Sequence, residues 1–211
     1  MMNFALPILI VWLVVDLATD WKLHKLLVLL AALCWLVMDN FWRLKARNAQ
    51  SAASTTHISM WRKLWLVLRS YGFYFLPLSS VPVLGLRIIP EQPAWAWMGL
   101  AMCVCGVGFS IWSRHVLAKN WNVTTGLGEH HALIQSGPYA IVRHPIYVGI
   151  WITMLGTALV VGELRALINL VVSVSEGWAK LNQEEAILQK EFPDAYAGYQ
   201  HRVKKLIPGI L

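Results

Sequence analysis

The chain contains apolar runs that carry no formal charge and are as long as a lipid bilayer is thick. Residues 93–112 are uncharged over twenty positions and residues 145–162 over eighteen. A membrane-spanning helix needs about twenty predominantly apolar residues. Composition agrees: 57% of the 211 residues are hydrophobic, 14% are charged, and mean hydropathy is +0.53. Soluble domains carry about a quarter charged residues, and a globule of this length needs that charge to cover its surface. Disordered chains are poor in apolar residues, so that class is excluded too. A polytopic helical membrane protein remains.

Further candidate spans lie at 4–19, 23–42, 64–86 and 166–175, giving five to six transmembrane helices. The segment 162–165 is a tight connection, so the last two spans read as a helical hairpin whose second arm continues past the bilayer to about residue 189. The start lacks the basic residues and small-residue cleavage site of a signal peptide, so its apolar run is expected to be retained. Residues 1–112 are expected to form an N-terminal membrane part, and residues 113–211 a C-terminal region that ends with the second hairpin arm and the segment after it.

Charge sets the orientation. Segments 43–63, 114–143 and 180 onward hold thirteen Lys or Arg, whereas the loops on the other side hold four: Lys22, Lys25, Arg87 and Arg165. Basic residues collect in cytoplasmic loops. Both termini are therefore expected on the cytoplasmic side, in a bacterial inner membrane. The net charge of +7 is explained by topology, and no nucleic-acid partner is needed. Cys34, Cys103 and Cys105 all lie in apolar runs and read as packing or lipid-facing residues; no metal site is expected. Asp16, Asp39 and Glu176 sit near span ends, where an ionisable group is tolerated.

The dense polar signal begins at Glu129 and runs to Gly149, with three histidines, an arginine and two tyrosines at the mouth of a span. Gly137-Pro138 and His144-Pro145 exclude regular helix through both points. Pro145 suits the first turn of the following helix. Arg143 and His144 then stand just before a helix N-terminus, where free N–H groups favour an anion. The segment reads as a binding site for a polar ligand. Further on, Lys180 and Glu184 are four apart on one helix face, the spacing of an ordinary solvated pair. Phe192, Tyr196, Tyr199 and Val203 recur at helical spacing, a face that packs on the body or the lipid interface.

The stretches His131-Ala132-Leu133-Ile134, Gly137-Pro138-Tyr139, Arg143-His144-Pro145-Ile146-Tyr147-Val148-Gly149 and Glu184-Glu185 match in order and spacing the isoprenylcysteine carboxyl methyltransferase family, to which phospholipid N-methyltransferases are related. The resemblance covers roughly the C-terminal 100 residues. It implies an integral membrane enzyme that uses S-adenosyl-L-methionine and a lipophilic or lipid-modified acceptor reached through the bilayer. His131, Ala132, Leu133 and Ile134 would line the adenosyl part. Gly137, Pro138, Tyr139, Arg143, His144, Pro145, Ile146 and Tyr147 would hold the cofactor further, and Glu184 would complete its pocket.

Two positions depart from the family. Lys180 stands where eukaryotic prenylcysteine enzymes resemble one another in having arginine, and lysine offers a point charge instead of a bidentate fork. Pro193 replaces the usual glycine after Phe192. Methyl transfer from a sulfonium is an in-line displacement that depends on alignment and exclusion of water. Lys180, with Arg202 as a second candidate, would position an anionic carboxylate or thiolate acceptor. An amine acceptor must be neutral, and Glu185 or a histidine would take its proton. Other readings are phospholipid N-methylation, an NADPH-dependent sterol reductase, and a non-enzymatic transporter or binding protein.

Overall fold

The computed structural model describes residues 23–50, 85–117 and 133–210. The candidate span at 4–19, nearly all of that at 64–86, and the residues Asp16, His131 and Ala132 lie outside them. The described chain is helical: α1 (Leu23–Gln50), α2 (Pro93–Leu117), a 3-10 turn (Gly137–Ala140), α3 (Pro145–Val161), α4 (Leu164–Glu191) and α5 (Pro193–Arg202). Among the described residues β-structure is limited to two isolated bridges, Arg87 with Glu163 and Val142 with Lys204.

Proline and glycine set the boundaries. Prolines stand at the first positions of α2, α3 and α5, where the missing N–H has no intrahelical partner to lose. Gly162 ends α3 at φ +71°, a left-handed conformation that any side chain would strain. Glu163 follows in extended geometry and α4 begins, so the expected hairpin forms at its expected place. The 85–92 segment crosses this turn. The N–H groups of Ile88 and Ile89 donate to the Gly162 carbonyl at 2.9 and 3.1 Å, and that of Leu164 donates to Leu86 at 2.9 Å.

The core is a seam of small residues between α2 and α3. Gly99, Cys103, Gly106 and Ser110 recur on one face of α2, opposite Gly149, Thr153 and Gly156 of α3. A Cβ on Gly99 would lie 2.5 Å from the Gly156 carbonyl oxygen, and one on Gly106 2.6 Å from that of Gly149. Backbones approach this closely only where side chains are absent, the usual way for helices to associate where burial from water drives nothing. Polar groups in the seam bond locally: Ser110 donates to the Ile146 carbonyl at 3.1 Å, and the Cys103 thiol to that of Thr153 at 3.4 Å. Helix α1 lies across this pair, and its Trp35 donates to the Thr157 hydroxyl at 2.9 Å.

Large apolar side chains face outward. Val37, Trp97, Val104, Leu155, Val171 and Val172 are all exposed, a shell that suits lipid and not water. The spans Leu23–Trp42 and Pro93–Leu117 are each long and apolar enough to cross a bilayer. Helix α3 is apolar but has 17 residues; at 1.5 Å per residue that is about 25 Å, short of the hydrocarbon thickness of about 30 Å. The boundary expected at 112/113 falls within the last turns of α2, which continues to Leu117. There Arg114 is buried, with its guanidinium 5.1 Å from the centre of the Trp42 ring. The ends of α1 and α2, the start of α3 and the second half of α4 therefore share one end of the bundle.

Two neighbouring glycines test the seam. Gly106→Ala is expected to lower stability by about 1–3 kcal/mol, because its Cβ meets backbone that must shift. Gly108, around which a Cβ meets nothing within 4 Å, should accept alanine without loss. Thermal unfolding in detergent compares the two, and equal effects would contradict the seam.

Candidate functional site

Gly137 opens the 3-10 turn at φ +61°, a conformation available to glycine at little cost. Pro138 and Tyr139 follow, both buried. Pro145 cannot extend α3 backwards, so the segment between turn and helix needs partners for its backbone. The C-terminal segment supplies them. The Arg143 N–H donates to the Lys204 carbonyl at 2.8 Å and that of His144 to the Lys205 carbonyl at 3.1 Å, while the Tyr199 hydroxyl donates to the Tyr139 carbonyl at 2.6 Å. Tyr196 and Tyr199 are buried in this contact, so the aromatic face of α5 packs against the body of the protein.

Glu185 stands at the centre. Its Oε1 accepts from Arg143 Nε at 2.9 Å, lies 2.8 Å from Arg143 Nη2, and pairs with His144 Nε2 at 3.1 Å; its Oε2 lies 3.0 Å from Lys205 Nζ. Arg143 also donates through Nη1 to the Val203 carbonyl at 2.7 Å. The Glu185 side chain is 13% exposed. Burial alone would raise its pKa, but hydrogen bonds from His144, Lys205 and Arg143 outweigh burial and hold it at about 2. Burial, with a smaller contribution from the Glu185 charge, pushes the Tyr196 phenol upward. Burial likewise lifts Tyr199 to about 12.

Glu184, the preceding residue, faces elsewhere. A helix turns 100° per residue, so adjacent carboxylates cannot share a face. Glu184 is 40% exposed, accepts from the Tyr147 hydroxyl at 3.0 Å, and lies 3.9 Å from His144 Nδ1. The rings of His144, Tyr147 and Trp151 follow one another along α3 with centroids 6.3 and 5.9 Å apart. The facing stripe of α4 is Gly177, Leu181 and Glu184. A Cβ on Gly177 would come within 2.6 Å of the Trp151 ring, so this glycine lets the two helices close. Lys180 makes no ion pair with Glu184 among the described residues. Its ammonium instead stands 6.0 Å from the Tyr147 ring centre.

The structure thus gathers Gly137, Pro138, Tyr139, Arg143, His144, Pro145, Ile146, Tyr147, Lys180, Glu184 and Glu185 at one end of the bundle. Leu133 and Ile134, half-buried, lead into the turn. Arg202 is exposed and donates to Gln135 at 2.7 Å, which ties α5 to that same stretch. Arg143 and Glu185 satisfy each other and the C-terminal backbone. Sequence reasoning missed Lys205, which bonds Asn182 at 2.7 Å as well as Glu185 and lies 4.9 Å from the Trp178 ring centre. Its only sequence signal is a Lys-Lys pair, which reads as surface charge.

Residues 94–195 match the profile of the family described as phospholipid methyltransferase. Protein-S-isoprenylcysteine O-methyltransferase of Schizosaccharomyces pombe is 33% identical over 109 residues, 51% of this chain and 42% of that protein. Protein-S-isoprenylcysteine O-methyltransferase B of Arabidopsis thaliana is 35% identical over 81 residues, 38% of this chain and 41% of that one. The human protein-S-isoprenylcysteine O-methyltransferase is 29% identical over 127 residues, 57% and 45% of the two chains. Over these stretches the chain is similar to protein-S-isoprenylcysteine O-methyltransferases. The matched region spans less than half the length of each curated relative. It contains α3 and α4 entirely and all of α2 but Pro93, so the glycine seam and both glutamates fall within it.

The Glu185 cluster predicts a pH dependence. The carboxyl is held below its ordinary 4.5, so the stability it contributes is present above 4.5 and is lost as pH falls towards about 2. Thermal midpoints measured from pH 6 to pH 2 should fall mainly in that window for the wild type. Glu185→Gln should start lower and vary less across it; parallel curves would contradict the assignment.

Proposed function

We propose that the chain is an integral membrane methyltransferase of the isoprenylcysteine carboxyl methyltransferase type, with S-adenosyl-L-methionine as the methyl donor and a lipophilic acceptor. The observation that carries this reading is the division between the two glutamates. The motif residues converge on one point, where Glu185 is consumed by structural partners and Glu184 is left partly open beside Tyr147 and His144. The residues present fit a donor that carries a sulfonium and an amino group. An available carboxylate suits the cationic part, and the Tyr147 ring offers a face to a cation or an aromatic base.

Bound there, the donor would supply an electrophilic methyl group. Leu133 and Ile134, with His131 and Ala132 before them, would hold its adenosyl part through backbone groups. Tyr139, Pro145 and Ile146 would form the packed floor, and Tyr147 would keep Glu184 oriented. Arg143 and Glu185 act as positioning residues: they fix His144 and the C-terminal segment. A carboxylate near pKa 2 is a poor proton acceptor at neutral pH, so His144 is the better candidate if an amine acceptor must lose a proton. Lys180, exposed above the Tyr147 ring, would position an anionic acceptor, with Arg202 closing the far side of the cofactor stretch. The basic residues at this end support a cytoplasmic position for it, in a bundle of six spans with both termini on that side.

Phospholipid N-methylation is the second reading, favoured by the description of the matched family and by lysine at position 180. Radiolabelled methyl transfer to prenylcysteine, phosphatidylethanolamine and small thiols separates the acceptors. Glu184→Ala should weaken S-adenosylhomocysteine binding roughly tenfold, the scale of one charge-assisted contact. Lys180→Ala should instead raise the acceptor KM with the donor affinity unchanged. Equal effects of both substitutions on both ligands would overturn this division of roles.

A further inference from the structure

The opposite end of the bundle holds a polar arrangement that methyl transfer does not use. There the start of α1, the 85–92 segment and the end of α3 surround an open cavity of about 220 Å³. Leu27, Ala96, Leu159 and Val160 make its apolar wall, and His24, Arg87 and Glu91 stand among its polar lining residues. Both α1 and α2 begin here, and Trp95, which also lines the cavity, is exposed. A tryptophan at the start of a spanning helix sits at the level of the lipid headgroups. The cavity therefore opens at the depth where headgroup meets acyl chain.

A second observation comes from the α3–α4 turn. Arg87 is bridged to Glu163 through the backbone, and Arg87 Nη2 reaches to 3.3 Å from where a Cβ of Gly162 would stand. Arg165 is 7% exposed and meets the Glu163 carboxylate through Nη2 at 2.8 Å. Its Nε and Nη1 are buried and find no hydrogen-bond partner among the described residues. Arg165 thus pairs with the Glu163 carboxylate through one nitrogen and keeps two idle donors, while Arg87 stands at the same turn. Buried N–H groups of a charged side chain cost free energy until an acceptor, or water ordered by one, reaches them.

The geometry points to a phospholipid site at this end. A phosphodiester from the leaflet on that side seats on Arg87, the arginine that lines the cavity. One acyl chain follows Leu27, Ala96, Leu159 and Val160 between the helices. The volume takes a headgroup or a chain segment, and the rest of the lipid stays in the bilayer. The site is separate from the methyl-transfer cluster and does not depend on that reading.

Native mass spectrometry of the full chain in detergent, titrated with phosphatidylglycerol, tests it. The wild type should hold one lipid that Arg87→Gln binds roughly tenfold more weakly, the scale expected for losing a charge-assisted contact. Leu159→Trp, which fills the apolar wall, should lose the lipid as well. Thermal unfolding identifies folded variants; if Leu159→Trp is not folded, Arg87→Gln decides. Diacylglycerol and inorganic phosphate, each offering half of the ligand, should bind more weakly than the phospholipid. Undiminished lipid binding by folded Arg87→Gln would overturn the site, and inorganic phosphate binding as tightly as phosphatidylglycerol would overturn its assignment to a lipid.

Discussion

A carboxylate facing an arginine, a lysine and a histidine holds the candidate site together. Glu185 meets Arg143, His144 and Lys205, which come from the entry to α3 and from the segment after α5. Buried charges are costly unless paired, and removing one partner of such a pair typically costs about 3–5 kcal/mol because the others are left uncompensated. The cluster therefore works as a clasp. It keeps the last part of the chain against the 3-10 turn, and so fixes where His144 and Tyr147 stand.

The clasp in turn needs a rigid base. Helix α3 presents His144, Tyr147 and Trp151 along one face because its other face is pressed backbone to backbone against α2. Gly99, Gly106, Gly149 and Gly156 make that approach possible. On the α4 side, Gly177 beneath Trp151 does the same for the helix that carries both glutamates. Small residues at the helix contacts thus set the register in which Glu184 becomes open and Glu185 closed. Adjacent residues of one type take different roles through helical geometry alone.

Much of this was legible in the sequence. The hairpin at 162–165, the helix start at Pro145 and the aromatic packing of Tyr196 and Tyr199 all follow from local rules of turn chemistry and periodicity. Lys205 could not be read, because its partners Asn182 and Glu185 are some twenty residues away and only the fold of α5 brings them together. The i,i+4 spacing of Lys180 and Glu184 gave the right helix face but the wrong partner: Tyr147, from another helix, takes the Glu184 oxygen. Spacing reports what an isolated helix offers, and tertiary contacts choose among the offers. The same limit applies to Arg143, which the motif marks as a ligand residue and the fold uses to hold Glu185 and the Val203 carbonyl.

The central claim is that the open carboxylate beside the clasp belongs to a methyl-donor site. Calorimetric titration of the purified full chain with S-adenosylhomocysteine tests it most directly. The account predicts saturable binding at one site per chain, weakened by Glu184→Ala. Absence of binding by protein shown to be folded would contradict it.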